Sequence, residues 1–198
     1  MRIGIDISQI VHEGTGVGEY VRNLVRALLK KDHDNEYILF GASLRKLSKF
    51  AEYCKEVGVV NPRFRLVMVP IPPTILEFLW NRLHVVPIEW FIGPVDVFWS
   101  SDWIQPPLRR AKGVTTVHDV SFLRYPETFS KMMVDVQKRR LRWVKRECKA
   151  VLCDSEATKR DIMDYKDAKR REYYLKTSQG GRLLRRRVRE YLFTRRFA

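Results

Sequence analysis

The stretch Met1-Arg2-Ile3-Gly4-Ile5-Asp6-Ile7, then a loop over residues 8–16, then Val17-Gly18-Glu19-Tyr20-Val21-Arg22-Asn23-Leu24-Val25, decides the fold class. Ile3, Ile5 and Ile7 alternate with Gly4 and Asp6, the period of a strand. Past the loop, Val17, Tyr20, Val21, Leu24, Val25 and Leu28 recur at helical spacing, with Glu19, Arg22, Asn23 and Arg26 on the opposite side. Lys30-Lys31 suits a helix end, and residues 32–35 a turn. The pattern then repeats. Further strands are predicted over 37–40, 65–69, 95–99, 114–118 and 150–153. Helices are predicted over 44–57, 74–83 and 129–148, the last with Met133, Val136, Trp143 and Val144 inward, and a final one is capped by Ser155. Pro70-Ile71-Pro72-Pro73 breaks the chain after the third strand. Strands separated by helical patterns make βαβ units, so the chain reads as α/β with a mostly parallel sheet covered on both faces.

Hydrophobic residues make up 45% of the 198, enough to bury a core and exclude a disordered chain. No uninterrupted apolar run reaches the length of a membrane-spanning helix; the richest, residues 83–99, is broken by His84, Pro87, Glu89 and Asp96. Asp6 falls where the apolar part of a signal peptide would lie. Cys54, Cys148 and Cys153 form no even framework and no C-x-x-C pair, which points to reduced thiols in a cytoplasmic protein. His12, His33, His84 and His118 have no H-x-x-x-H spacing, so no metal is expected.

The formal net charge is +15, and it is unevenly placed. Residues 165–198 hold 12 Lys/Arg against 3 Asp/Glu, a net of +9, while residues 1–164 hold 26 against 20, a net of +6. The expected division is therefore a domain over 1–164 and a basic tail over 165–198. Leu184, Val188, Tyr191 and Leu192 would share one face if the tail were helical. Three accounts of the tail stand: a helix on an anionic membrane surface, a nucleic-acid-binding segment, or the product of a truncated or frame-shifted reading frame. Nucleic acid ranks lowest, since no base-stacking module accompanies the arginines.

In a parallel α/β sheet, ligands collect at the carboxyl ends of the strands. Three constellations lead there. Gly14-Thr15-Gly16-Val17-Gly18 joins the first strand to the first helix, where glycines admit a bulky anion and helix-start amides favour phosphate. The same residues also suit a plain flexible turn. They are not a dinucleotide fingerprint, because residues 8–13 intervene and no acidic residue ends the second strand; this removes a nicotinamide-dependent oxidoreductase. Nor does Gly-Lys-Ser/Thr follow, as a P-loop requires. Thr116-Val117-His118-Asp119 delivers a histidine and a carboxylate that orient a sugar hydroxyl or exchange a proton, or else cap the strand end. Asp154-Ser155-Glu156-Ala157-Thr158 is a helix start with Ser155 as N-cap, which accounts for it without a ligand.

Taken in order, Met1–Asp6, Gly14–Tyr20, Asn23-Leu24, Asp96-Val97-Phe98, Val117–Phe122, Tyr125–Phe129 and Asp154–Ile162 resemble the N-terminal half of family 4 glycosyltransferases, enzymes of the two-domain GT-B fold. The resemblance implies a Rossmann-like acceptor-side domain of a retaining enzyme. Such an enzyme moves a sugar from a nucleotide-sugar donor to a hydroxyl of a glycan or lipid-linked acceptor, with no metal or other cofactor. It implies that Gly14, Gly16, Val17 and Gly18 approach the donor diphosphate, that His118 lies near the transferred sugar, and that Asp119 is its neighbour in the acceptor site. It also implies a second, glutamate-bearing donor domain, to which nothing in residues 165–198 corresponds, so that domain is either on another chain or lost. Little or no transferase activity is therefore expected of these residues alone. The expected location is cytoplasmic, peripheral at the inner face of a membrane. The rival from another class is a basic membrane-surface or nucleic-acid-binding module on an α/β scaffold.

Overall fold

A computed structural model describes residues 1–59, 61–101 and 103–165, and the backbone of 172–175. The order is β1 (Arg2–Asp6), α1 (Gly16–Lys31), β2 (Glu36–Ala42), α2 (Leu47–Gly58), β3 (Phe64–Val69), α3 (Pro73–Leu76), α4 (Glu89–Ile92) and β4 (Val97–Ser100). It continues with β5 (Lys112–Val117), α5 (Ser121–Arg124), α6 (Lys131–Glu147), β6 (Cys148–Cys153), α7 (Glu156–Asp164) and β7 (Glu172–Leu175). The sheet order is β3-β2-β1-β4-β5-β6-β7, and every pairing is parallel. This is a Rossmann-like α/β fold, whose strand order reverses direction between β1 and β4.

A parallel sheet needs cover on both faces, and the strand sequences supply apolar side chains to both. On one face Ile3, Ile5, Tyr37, Leu39, Val97 and Trp99 meet helical partners that include Val21, Val25, Leu29, Phe50 and Val57. On the other, Ile38, Phe40 and Phe98 meet Leu76, Trp80, Ile88 and Ile92. A third cluster joins Val117, Val151 and Cys153 to Val134, Leu141 and Val144 of α6. All three cysteines are buried thiols outside any disulfide, and Cys148 Sγ donates to Gln105 Oε1 at 3.3 Å. Burial pushes the Cys54 thiol up to about 11, and burial with the Asp154 charge pushes Cys153 up to about 12.

The predicted strands appear with ends shifted by one or two residues. The predicted helix over 74–83 is different in kind. After one turn of α3 it widens into a π-helical turn, Glu77–Leu83, and stops at His84, whose φ is +53. Val86 follows at φ +64. Two left-handed non-glycine residues cost strain that the surroundings must offset. His84 Nδ1 lies 2.9 Å from Trp80 O and Nε2 3.0 Å from Glu147 Oε1, while its ring stacks on Trp143 with centroids 3.6 Å apart and 3° between planes.

Helix α6 also departs from its predicted face. Val136 and Val144 are buried as read, but Met133 and Trp143 are only half-buried, and Val134, Gln137, Arg140 and Leu141 complete the inner side. Arg140 is 1% exposed, and its Nη2 donates to Ser101 O, Thr115 Oγ1 and Thr116 O at 3.2, 2.8 and 2.9 Å. A buried guanidinium thus ties α6 to the ends of β4 and β5. Strand β7 continues the sheet beyond residue 164. The basic residues 176–198, with the predicted helical face, lie outside the described residues.

Burial opposes ionisation of Glu147. Hydrogen bonds from His84 and the Leu108 amide, with the His84 and Arg146 charges, outweigh it and hold the carboxyl below the usual glutamate value of 4.5. A carboxyl depressed by folding stabilises the fold above its unfolded pKa and loses that contribution as pH falls through the folded value. Chemical denaturation should therefore find Glu147→Gln less stable than wild type at pH 6–7, by about 1 kcal/mol, the scale of a lost hydrogen bond. The two should converge as the pH falls well below the usual glutamate range.

Candidate functional site

The chain leaves β1 through Asp6, which is buried. Its carboxylate accepts the Ser8 amide (2.9 Å) and the Ser101 hydroxyl (2.6 Å), joining the ends of β1 and β4 where the sheet order reverses. Burial pushes the Asp6 carboxyl above its ordinary value, against the hydrogen bonds from Ser101 and Ser8. A short 3-10 turn, Ser8–Val11, follows, and Gly14 turns the chain at φ +74, a conformation that side chains resist.

Thr15 is the N-cap of α1. Its Oγ1 accepts the Gly18 amide (3.2 Å) and donates to His12 O (2.7 Å). A Cβ at Gly18 would lie 2.7 Å from His12 O and 3.0 Å from Gln9 O, so the bare glycine lets the helix settle on the 3-10 turn. Gly16 is the opposite case, with open space where its side chain would be. The helix gives the Gly16 and Val17 amides no carbonyl four residues back. They form the positive end of the helix dipole, an arrangement that favours phosphate.

Tyr20, one turn further, carries this helix start to β5. Its hydroxyl lies 3.2 Å from Thr116 Oγ1, which also accepts Trp99 Nε1 at 3.2 Å. Its ring meets the His118 imidazole edge to face, centroids 4.9 Å apart and planes at 88°. Burial pushes the Tyr20 hydroxyl well above its ordinary value, so it stays protonated. The glycine segment and His118 thus sit at one edge of the sheet, bridged by one aromatic ring.

His118 follows directly on β5. Its Nδ1 lies 2.5 Å from Asp154 Oδ2, a residue just past the end of β6, and its carbonyl accepts the Thr158 hydroxyl at 3.0 Å. Since a carboxylate accepts, Nδ1 carries the proton toward Asp154. Asp119 is exposed, and its Oδ1 accepts the Ser121 amide (3.0 Å) at the start of α5. It is a turn-former here. Gly14, Gly16, Val17 and Gly18 lead into the helix whose Tyr20 meets His118, so they lie at the same edge of the sheet as that imidazole; Asp119 is adjacent in sequence but engaged locally. Ser155 caps α7 as read, accepting the Thr158 amide at 3.0 Å. Sequence reasoning missed Asp154 as the partner of His118, Tyr20 as the bridge, and Asp6 as the tie across the switch point. A groove of about 330 Å³ at the amino ends of β2 and β3, lined by Asp34, Glu36, Arg63 and Arg65 among others, lies at the opposite edge of the sheet.

The profile described as Glycosyltransferase Family 4 matches residues 14–173, from the glycine segment to β7. The chain belongs to glycosyltransferase family 4. The matched span takes in every residue of the site from Gly14 to Asp154. No curated protein matches the chain. Among solved structures it is similar to a short-chain dehydrogenase from Oenococcus oeni PSU-1, at 8% identity and a TM-score of 0.40, over 80% of this chain and 82% of that one.

Two glycines of this family 4 domain separate packing from binding. Gly18→Ala should lower stability by about 1–3 kcal/mol, because backbone carbonyls cannot give way. Gly16→Ala should leave the melting temperature unchanged or slightly raised, since alanine suits a helix better. Thermal melts of both variants test the contrast. At His118, nitrogen chemical shifts of the imidazole should show Nδ1 protonated in the neutral form, and Asp154→Asn should abolish that preference.

Proposed function

We propose that this family 4 domain is the acceptor-side half of a retaining glycosyltransferase that moves a sugar from a nucleotide-sugar donor to a hydroxyl of a glycan or lipid-linked acceptor. The observation that carries the proposal is the contact of Tyr20 with His118, one turn from a helix start whose free amides suit an anion. Nucleotide-sugar chemistry needs both the amides and the imidazole. As the glycosidic bond breaks, negative charge collects on the departing diphosphate. The Gly16 and Val17 amides stabilise it without having to reorient. His118 Nε2, held as an acceptor by Asp154, binds a hydroxyl of the transferred or accepting sugar and fixes its position. Gly14 shapes the loop and Gly18 seats the helix. Asp119 lies next to this pocket, with its second carboxylate oxygen available to an acceptor. No metal or other cofactor is required by this scheme, because the helix start carries the electrostatic load.

The wall that grips the donor nucleotide belongs to a second domain, supplied by another chain. The protein works in the cytoplasm, peripheral at the inner face of a membrane, where lipid-linked acceptors are reached.

The test is turnover. Incubated with UDP-, GDP- or ADP-sugars, the 198-residue chain should show little or no transfer, and supplying a donor-binding domain should restore it. In the restored enzyme His118→Ala should lower kcat by about 100-fold or more, the scale of losing a positioned polar group in a transition state. Turnover by the chain alone at the level of two-domain relatives would refute the missing wall. Indifference to His118→Ala would refute the site.

A further inference from the structure

The layer built from α3, the π-helical turn, α4 and α6 turns an unusual face to solvent. Leu76, Trp80, Ile88 and Ile92 point into the core. That leaves Ile75, Phe78, Leu83, Val85 and Trp90 exposed, Phe78 at 46% and Trp90 at 68%. Helix α6 runs beside this strip. Arg139 Nη2 is 2.8 Å from Glu77 Oε1, Trp143 Nε1 donates to Asn81 O at 2.7 Å, and the stacked His84 closes the seam. At 100° per residue, Lys131, Lys138, Arg142 and Arg146 share the solvent side of α6, next to the seam residues, and all four are exposed.

The charges are sorted. Glu77 is bound by Arg139. Glu89 Oε1 accepts the amides of Arg109, Arg110 and Ala111 at 2.8, 2.9 and 3.1 Å. Glu147 accepts His84 and the Leu108 amide. Three carboxylates are thus consumed within the layer, while Arg82, Arg109 and Arg110 stay exposed beside the apolar strip. On α6, Asp135 alone interrupts the row of cations.

We infer that this face docks on an anionic lipid bilayer, its apolar strip seated among the headgroups and its cations against lipid phosphates. The inference gives a surface to the membrane-peripheral reading above and rests on it. Five bulky apolar side chains exposed within residues 75–90 suit a nonpolar phase, which a bilayer interface supplies and a nucleic acid does not. The cations match the negative surface of a membrane rich in anionic lipid. Among the described residues no helix is long and apolar enough to cross a membrane.

Sedimentation of the full chain with vesicles tests this. Wild type should pellet with phosphatidylglycerol/phosphatidylcholine vesicles and far less with phosphatidylcholine alone. Lys138→Glu/Arg142→Glu and Phe78→Ser/Trp90→Ser should each lower the partition coefficient about tenfold or more. Melting temperatures should hold, since all four side chains are exposed. Arg185→Gln/Arg186→Gln/Arg187→Gln, in the basic C-terminal segment, should keep most of the binding. Binding that the arginine triple variant abolishes and both surface variants retain would overturn this face while leaving membrane association standing. Failure of wild type to bind vesicles would overturn both. Binding to a single-stranded oligonucleotide that competes with vesicles, weakened by the charge variant and untouched by the apolar one, would reassign the face to nucleic acid and overturn the proposal.

Discussion

The contact of the Tyr20 ring with His118 is the point on which the functional geometry turns. A parallel sheet covered by helices on both faces has no room for a ligand except at its ends. At the carboxyl end, β1 and β5 are separated by β4, so their loops do not meet through the backbone. Tyr20 reaches across from α1, bonds to Thr116 and packs on the imidazole. Asp154 holds that imidazole from the far side, out of the loop after β6. Three loops are thereby fixed around one side chain, and Asp6 with Ser101 fixes the strands beneath them.

Much of this was legible. The alternating isoleucines of β1 and the heptad-like face of α1 are local signals, set by side-chain spacing alone, and Pro72-Pro73 marked where α3 begins. The glycine segment announced a helix start, and Thr15 is its cap. What stayed hidden depends on partners far along the chain. Arg140 looks like one more cation in a basic helix; its burial follows from acceptors at Ser101, Thr115 and Thr116 that only the folded sheet assembles. Asp154 reads as the residue before an N-cap, and its bond to His118 spans 36 positions. The π-helical turn carries no spacing signature, since it is set by the His84 clasp to Glu147 and Trp143. Asp119, adjacent to His118 in sequence, is held by the start of α5 instead.

Helix α6 shows how one segment serves several ends. Its inner face adds Val134, Leu141 and Val144 to the core and sends Arg140 beneath the site. Its flank clasps the π-helical turn through Arg139 and Trp143. Its outer face carries the row of cations proposed to meet lipid. A site at the strand ends and a docking face on the helical layer are compatible, because each uses a different side of the same frame.

The central claim is that the Gly16 and Val17 amides and the His118 imidazole line one anion-binding cleft. The most direct measurement is a nuclear magnetic resonance titration of the chain with a nucleoside diphosphate. The account predicts that the Gly16 and Val17 amide signals and the His118 ring signals move together along one binding curve. Movement of the amides with His118 unmoved, or saturation of the two at different concentrations, would contradict it.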